Sequence, residues 1–266
     1  MYDAGRYLSE ALDSAVAQTF ADTEIVVVDD GSTDAETRTI IAEAERRPRT
    51  TVHRTPNRGP SHARNFGIEH ARGAYILPLD ADDWLEPTYL EKTVPLLDAD
   101  PDLGVVFTWV GLTGGHYGVW RTGGFSVPEL LARCTIHVTS LYRRALWADV
   151  GGYDPRFVES CEDWDLWLGA AARGWRGACV PEVLVHYRRT PRSREHHSRT
   201  PAISRRLMHA LATKHRALYE THLEDALASM YEQRSEVNLM LERMYGHPLV
   251  RLLLRARRLL RRDGAA

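Results

Sequence analysis

Apolar and polar positions alternate with two different periods along the first third of the chain. Apolar residues between Tyr7 and Val16 recur at helical spacing, whereas Glu24–Val28 and Tyr75–Leu79 are short apolar runs typical of buried strands. A short strand near 51–53 and helices that begin near Asp34 and Ser61 lie between those runs. This rhythm predicts the α/β class, with a mostly parallel sheet and helices on both faces.

The pattern becomes less regular after residue 87. We predict helices near 88–97 and 161–173, strands near 105–110, 138–142 and 178–185, and mostly helical structure from 203 to 244. The glycine-rich segment 111–124 is typical of a surface loop. The predicted organisation is one α/β domain, 1–198, with halves 1–86 and 87–198, followed by a C-terminal helical extension, 199–266.

Composition limits the functional classes. A chain of 266 residues that is 44% hydrophobic can bury a large core, and its net charge of −2 gives no reason to expect nucleic-acid binding. Cys134, Cys161 and Cys179 have neither disulfide nor zinc spacing, which suits a reducing compartment. Since no apolar run has transmembrane length and no signal pattern opens the chain, we predict a cytoplasmic protein.

Two acidic groups follow the apolar strands. Asp30 ends the first strand, and Asp80, Asp82 and Asp83 come directly after the run at 75–79. Carboxylates this close repel one another, so a hard divalent cation with oxygen ligands would stabilise them. Because the carboxyl ends of strands open on one crevice, we expect both groups to face a shared site. Turns and helix caps are the alternative, although three carboxylates exceed what a cap requires.

Five motifs together carry a family resemblance. In order and spacing the chain resembles the family-two inverting glycosyltransferases of GT-A fold, over roughly residues 2 to 190. The resemblance makes 1–86 the nucleotide-sugar-binding half and 87–198 the acceptor and catalytic half. The motifs that carry it are Ala4–Leu8, Val26–Asp34, Asn57–Gly67, Asp80–Asp83 and Glu162–Trp167.

The resemblance implies a role for each site residue. Asp163 would be the catalytic base, and Asp82 and Asp83 of the DxD-type motif would hold Mg²⁺ or Mn²⁺. His186 and Arg188 would contact the diphosphate, or belong to a lid formed by the arginine-rich loop 188–199. For the nucleotide-sugar donor, Tyr2 would stack on the base and Asp30 would hydrogen-bond it. Arg64 would face the diphosphate, and Asp80 and Asp82 would also contact the donor.

Simpler interpretations of the same residues stay open. Arg64 lies on a polar helix and could form an ordinary surface salt bridge. Asp163 could be one of several acidic residues favoured in the first turn of a helix. His186 could be a partly buried structural histidine.

One feature departs from the family pattern. Family members begin with an additional apolar strand in the middle of the sheet, whereas this chain begins at Met1-Tyr2-Asp3. The neighbouring strands would then lack a backbone partner, and unpaired buried N–H and C=O groups are costly. We therefore expect either that the true start lies upstream or that the protein is an impaired relative.

The C-terminal residues 249–266 have leucines on one helical face and arginines on the other. Such a segment is typical of a helix that lies on an anionic membrane, and docking on the protein's own core is equally open.

The sequence thus predicts a metal-dependent, inverting glycosyltransferase that moves a sugar from a nucleotide-diphosphate-sugar to a hydroxyl of a glycan or lipid-linked acceptor, in bacterial surface-polysaccharide synthesis at the inner face of the membrane. The alternatives are a non-catalytic nucleotide-sugar-binding or scaffold protein and, from another class, a metal-dependent phosphohydrolase with an aspartate nucleophile.

Overall fold

The structure is a computed structural model that describes residues 1–115, 117–189 and 200–246. The helices are α1 Gly5–Val16, α2 Ala35–Ala44, α3 Pro60–His70, α4 Tyr89–Ala99, α5 Val127–Ala132, α6 Arg144–Val150, α7 Glu162–Ala172, α8 Pro201–Lys214, α9 Arg216–Thr221 and α10 Leu223–Gly246. The strands are β1 Ile25–Asp29, β2 Thr50–Arg54, β3 Tyr75–Ile76, β4 Trp84–Leu85, β5 Leu103–Gly114, β6 Gly118–Trp120, β7 Leu141–Arg143 and β8 Arg176–Arg189. The predicted α/β class is confirmed.

The strands form two sheets. In the first, β1 and β2 are parallel, as predicted. The second is mixed and has the order β3-β7-β5-β8-β4, with β6 paired to β5. In this sheet β5 and β8 are parallel along most of their length, and the other neighbours are antiparallel.

The third predicted strand is shorter than the apolar run at 75–79. Only Tyr75 and Ile76 pair, antiparallel to β7, so this strand does not extend the parallel pair β1–β2. Pro78 has no backbone N–H and cannot donate to a ladder, which explains why the strand ends early. Residues 77–83 instead form the loop that carries the acidic motif.

The first residue pairs with β1. The amino group of Met1 donates to the carbonyl oxygen of Val28 at 2.9 Å, and Asp30 N–H donates to the carbonyl oxygen of Met1 at 2.8 Å. This is the hydrogen-bond pattern of a parallel bridge. Burial lowers the pKa of the Met1 amino group. The strands β1 and β3 belong to different sheets, and the additional family strand expected in the middle of the sheet stays a prediction.

The core consists of three clusters. One lies between α1, α2 and β1, a second packs α4 on the mixed sheet, and the largest surrounds Trp167 of α7. Leu207 and Leu211 of α8 and Ala226 of α10 are buried in this largest cluster, so the C-terminal helices pack directly on the half 87–198. The predicted boundary at 198/199 falls in 190–199, outside the described residues.

Within the part of the chain that the structure describes, no helix is both long enough and apolar enough to cross a membrane. The predicted amphipathic segment 249–266 lies outside the described residues.

Candidate active site

One open cavity of about 2110 Å³ unites most of the predicted site. It lies beside β1, the acidic loop and the start of α7. Six of the nine predicted site residues line it: Tyr2, Asp30, Arg64, Asp80, Asp82 and Asp163. The other three, Asp83, His186 and Arg188, are not among its lining residues.

Asp30 is a buried anchor at the edge of the cavity. Its side chain accepts hydrogen bonds from Gly59 N–H at 2.8 Å, Arg58 N–H at 3.1 Å and the Thr55 hydroxyl at 3.2 Å. Only 3% of the residue is exposed. Gly59 has a φ of 87°, a conformation that favours glycine. Asp30 therefore fixes the turn that starts α3, and α3 in turn carries Arg64.

Arg64 lies between two carboxylates. Nη2 is 2.6 Å from Oδ1 of Asp80, and Nη1 is 2.6 Å from Oε1 of Glu162. Burial alone would lower the pKa of Arg64, but the charges of Asp80 and Glu162 outweigh it and hold the pKa well above its usual value. The guanidinium thus joins the acidic loop to the first turn of α7. Sequence reasoning missed Glu162, which had only the pattern of a helix-start residue.

Two neighbouring carboxylates of the acidic loop, those of Asp82 and Asp83, point in different directions. Asp82 lines the cavity, whereas Asp83 is buried and its Oδ1 accepts from Arg188 N–H at 2.9 Å. Oδ2 of Asp83 is buried without a hydrogen-bond partner. Burial, followed by the negative charges of Asp82 and Asp80, raises the pKa of Asp83 well above its usual value. Asp83 is therefore directed into the protein and does not line the cavity.

His186 and Arg188 lie outside the cavity lining and contact residues of the segment 82–86. Nε2 of His186 is 2.7 Å from Oε1 of Glu86, and its ring stacks on Trp84 with centroids 4.8 Å apart. Arg188 donates from Nε to the carbonyl oxygen of Asp82 at 3.0 Å and forms an ion pair with Glu10 of α1. Arg188 therefore holds the loop in shape, whereas His186 contacts residues that follow the loop. The predicted lid residues 190–199 lie outside the described residues.

Asp163 occupies the first turn of α7, where the helix dipole favours a negative charge. Its Oδ1 accepts from Trp164 N–H at 2.8 Å, and Trp164 is itself held by a hydrogen bond from Nε1 to the carbonyl oxygen of Leu130. The preceding Cys161 has a φ of 71°, an uncommon conformation outside glycine. Burial and the nearby Asp163 raise the pKa of Cys161 to about 12. The carboxylate therefore projects from a fixed helix end into the cavity.

An aromatic wall lines the cavity near the acidic loop. It consists of Trp120, His137 and Tyr187, with the His137 ring 6.0 Å from Trp120 and 4.9 Å from Tyr187. Nδ1 of His137 accepts from Thr139 N–H at 3.2 Å, and burial lowers the His137 pKa to about 4. His137 is therefore a neutral imidazole at pH 7, with its proton on Nε2.

The described residues alone do not make a complete metal cage. Among them, no group of three or more histidine, cysteine, aspartate or glutamate side chains converges as ligands for an ion. A cation held here would therefore need ligands from water or from a bound substrate.

Comparison with known proteins assigns the chain to a class. The family model described as glycosyl transferase family 2 matches residues 1–150. The chain is 29% identical over 172 residues to the chondroitin synthase of Pasteurella multocida, covering 63% of this chain and 18% of that protein. It is also 29% identical over 192 residues to an uncharacterized glycosyltransferase of Haemophilus influenzae, covering 69% of this chain and 70% of that protein.

Solved structures share the fold. S. aureus TarS in complex with UDP-GlcNAc matches with a TM-score of 0.65 and 21% identity, over 79% of this chain and 64% of that one. The mannosyltransferase PcManGT from Pyrobaculum calidifontis, solved with GDP-Man and Mn²⁺, matches with a TM-score of 0.60 and 21% identity, over 95% of this chain and 80% of that one. The fold is that of the GT-A glycosyltransferases, as predicted. The chain belongs to glycosyl transferase family 2.

Proposed function

We propose that this protein transfers a sugar from a nucleoside-diphosphate-sugar to an acceptor hydroxyl, with inversion at the anomeric carbon. The observation that carries the proposal is the shared cavity of Asp30, Arg64, Asp80, Asp82 and Asp163, which come from separate stretches of the chain. The complexes of TarS with UDP-GlcNAc and of PcManGT with GDP-Man support a donor of this chemical class.

The donor would lie along the β1 side of the cavity. Tyr2 is 48% exposed and offers a flat ring to a nucleotide base. Asp30 directly follows β1 and lines the cavity, and its carboxylate, which holds the turn before α3, would also accept from a base N–H. Arg64 would turn its fork towards the diphosphate. Since Arg64 already pairs with Asp80, an incoming diphosphate competes with that carboxylate for the guanidinium.

A divalent cation fits the residues present. Asp80 and Asp82 supply hard oxygen donors at the cavity, and Mg²⁺ or Mn²⁺ typically takes one or two carboxylates together with substrate phosphates and water. When bound, such a cation neutralises charge on the departing diphosphate. We leave Asp83 out of the proposed ligands because its carboxylate is buried and accepts a backbone N–H.

Asp163 is the proposed general base. Its carboxylate takes the proton of the acceptor hydroxyl while that oxygen forms a bond to the anomeric carbon. The bond between the anomeric carbon and the diphosphate oxygen breaks on the opposite face, so the configuration inverts and the nucleoside diphosphate leaves. The hydrogen bond from Trp164 N–H keeps Asp163 in the orientation this step needs.

The proposed biological role is polysaccharide assembly on a glycan or lipid-linked acceptor. The similarity to a chondroitin synthase and to a hyaluronan synthase supports it, and the chain spans 18% of the length of each of those relatives. Membrane contact through residues 249–266 stays a prediction, since those residues lie outside the described part of the chain.

The test has two stages. The protein is first screened by thermal shift against UDP-, GDP- and dTDP-sugars, each with Mn²⁺, Mg²⁺ or EDTA, and we expect one donor to raise the melting temperature only with metal. The selected donor is then incubated with acceptor glycans, and the anomeric configuration of the product is read by NMR. Donor binding with no transfer to any acceptor would favour a non-catalytic binding protein, and a labelled phospho-aspartate after a single turnover would favour a phosphohydrolase. Either result would overturn the proposal.

A further inference from the structure

We propose that Asp165, Lys214 and His215 form a clamp through which the C-terminal helices position the catalytic base. The inference rests on the proposed function, because it assigns Asp163 to proton abstraction. It adds a role for residues that lie beyond the 1–150 matched by the family model. None of the three residues of the clamp lines the cavity, so each is a positioning residue.

The clamp is built on a fully buried carboxylate. Asp165 has 0% exposure, and its two oxygens have different partners from the end of α8. Nζ of Lys214 lies 2.6 Å from Oδ2, and Nε2 of His215 lies 2.8 Å from Oδ1. A buried carboxylate that loses one such partner is strongly destabilised, so the three groups hold together as a unit.

Asp165 and Asp163 lie on opposite faces of the same helical turn. Residues two positions apart on an α-helix are separated by about 200° around the axis. Asp163 accordingly faces the cavity while Asp165 faces the C-terminal helices. Because one turn of hydrogen-bonded helix moves as a rigid piece, a displacement at Asp165 also displaces the Asp163 carboxylate.

The cationic side of the clamp is itself anchored. Leu207 and Leu211 of α8 are buried against the cluster around Trp167, which fixes α8 on the catalytic half. Nζ of Lys214 also lies 2.8 Å from Oδ2 of Asp154, in the segment between α6 and α7. Lys214 thus has a second carboxylate that is not on α7, and this second contact provides a matched control.

The experiment compares kcat and donor KM for Asp165→Asn and Lys214→Met with those for the control Asp154→Asn. A misplacement of about 1 Å costs about 100-fold in rate, so we expect kcat to fall by about 10- to 100-fold in both test variants. Donor KM should change by less than kcat, because the proposed donor residues lie outside α7, although Arg64 contacts that turn through Glu162. Asp154→Asn removes an equal charge from Lys214 but leaves α7 anchored, and its kcat should fall by less than about threefold.

Lys214→Arg provides the conservative rescue, since it restores a cation near Asp165 and should recover most of the lost kcat. A lower melting temperature with unchanged kcat, measured where the variants are folded, would overturn the positioning role, as would equal losses of kcat in Asp154→Asn and Asp165→Asn. Wild-type protein that transfers no sugar contradicts the proposed function itself, whereas active wild-type protein with fully active clamp variants contradicts this inference alone.

Discussion

Arg64 and Glu162 are 98 positions apart in the chain, yet Nη1 of Arg64 lies 2.6 Å from Oε1 of Glu162. The other end of the same guanidinium contacts Asp80 at 2.6 Å. The side chain of Glu162 is only 4% exposed, so its charge depends on Arg64 for compensation. This ion-pair chain sets the separation between the acidic loop and the helix that carries Asp163.

Replacement of Arg64 should weaken both stability and donor binding. Arg64→Met leaves Glu162 buried without its cation, and we expect a loss of about 3 kcal/mol in the free energy of unfolding, measured by urea denaturation. Calorimetry should also give weaker binding of the nucleoside diphosphate. Arg64→Lys keeps the charge but lacks the planar guanidinium fork, so its stability and its donor affinity should lie between those of the wild type and those of Arg64→Met. Wild-type stability in Arg64→Met would contradict this account.

Replacement of the proposed base should separate catalysis from binding. Asp163→Asn keeps an oxygen for the Trp164 N–H but cannot take a proton, so kcat should fall by about 10²- to 10⁴-fold while the donor Kd is unchanged. Asp149→Asn, the same chemical change at a half-exposed position of α6, should retain full activity. Normal turnover in Asp163→Asn would show that another group is the base.

Asn65 is expected to be important for stability. Its Oδ1 accepts from Trp147 Nε1 at 3.0 Å and from Tyr153 N–H at 2.8 Å, and its Nδ2 donates to the Tyr153 carbonyl at 2.8 Å. Asn65→Ala leaves these partners unsatisfied and should lower the free energy of unfolding by about 2 kcal/mol. Asn65→Asp retains the acceptor but loses the donor, and its carboxylate repels the Tyr153 carbonyl oxygen, so chemical denaturation should also give it a lower free energy of unfolding than that of the wild type. A change below about 0.5 kcal/mol in Asn65→Ala would refute the assignment.

The buried His137 predicts a specific pH dependence of stability. In the folded protein its pKa is about 4, against 6.5 for an ordinary histidine, so between these values the unfolded chain binds more protons. The contribution of His137 to the free energy of unfolding should therefore be constant above pH 6.5 and fall, by on the order of 3 kcal/mol, as the pH drops towards 4. His137→Gln should have a shallower slope in that window. Replacement of the exposed His70 by glutamine should leave the wild-type slope, and an unchanged slope in His137→Gln would contradict the prediction.

Pairing at Met1 predicts the effect of an added strand. Because Met1 already bonds to β1 as in a parallel bridge, an apolar strand fused ahead of it should extend the pairing and raise the melting temperature. A glycine- and serine-rich segment of equal length is the matched control and should give no increase. Equal melting temperatures for the two fusions would refute the expected strand.

The grouping of the acidic residues could be predicted because it follows from strand ends. Asp30 and Asp80 come directly after apolar runs and line one cavity, although the strands before them, β1 and β3, belong to different sheets. The burial of Asp83 could not be predicted, since Asp82 and Asp83 are neighbouring residues of the same type. Only the conformation of the loop directs the Asp83 side chain into the protein. The strand β6 was predicted as part of a loop, because a glycine-rich run carries little strand propensity and pairs here only through β5.

The long-range ion pairs could not be predicted from the sequence. Periodicity predicts contacts three or four residues apart, whereas Arg64–Glu162 and Asp165–Lys214 join elements brought together by tertiary packing. The acidic pattern at the start of α7 suggested only a favourable helix terminus. The structure gives the three acids of that turn different partners: Glu162 pairs with Arg64, Asp163 accepts from Trp164 N–H, and Asp165 contacts Lys214 and His215.

The contacts of Arg188 have a consequence for biosynthesis. Its backbone N–H and side chain hold Asp83 and the carbonyl of Asp82, 105 and 106 positions earlier in the chain. As translation proceeds from the N-terminus, the first half of the protein leaves the ribosome with this loop still lacking its support. The acidic loop therefore gains these contacts only after β8 has been synthesised and has paired.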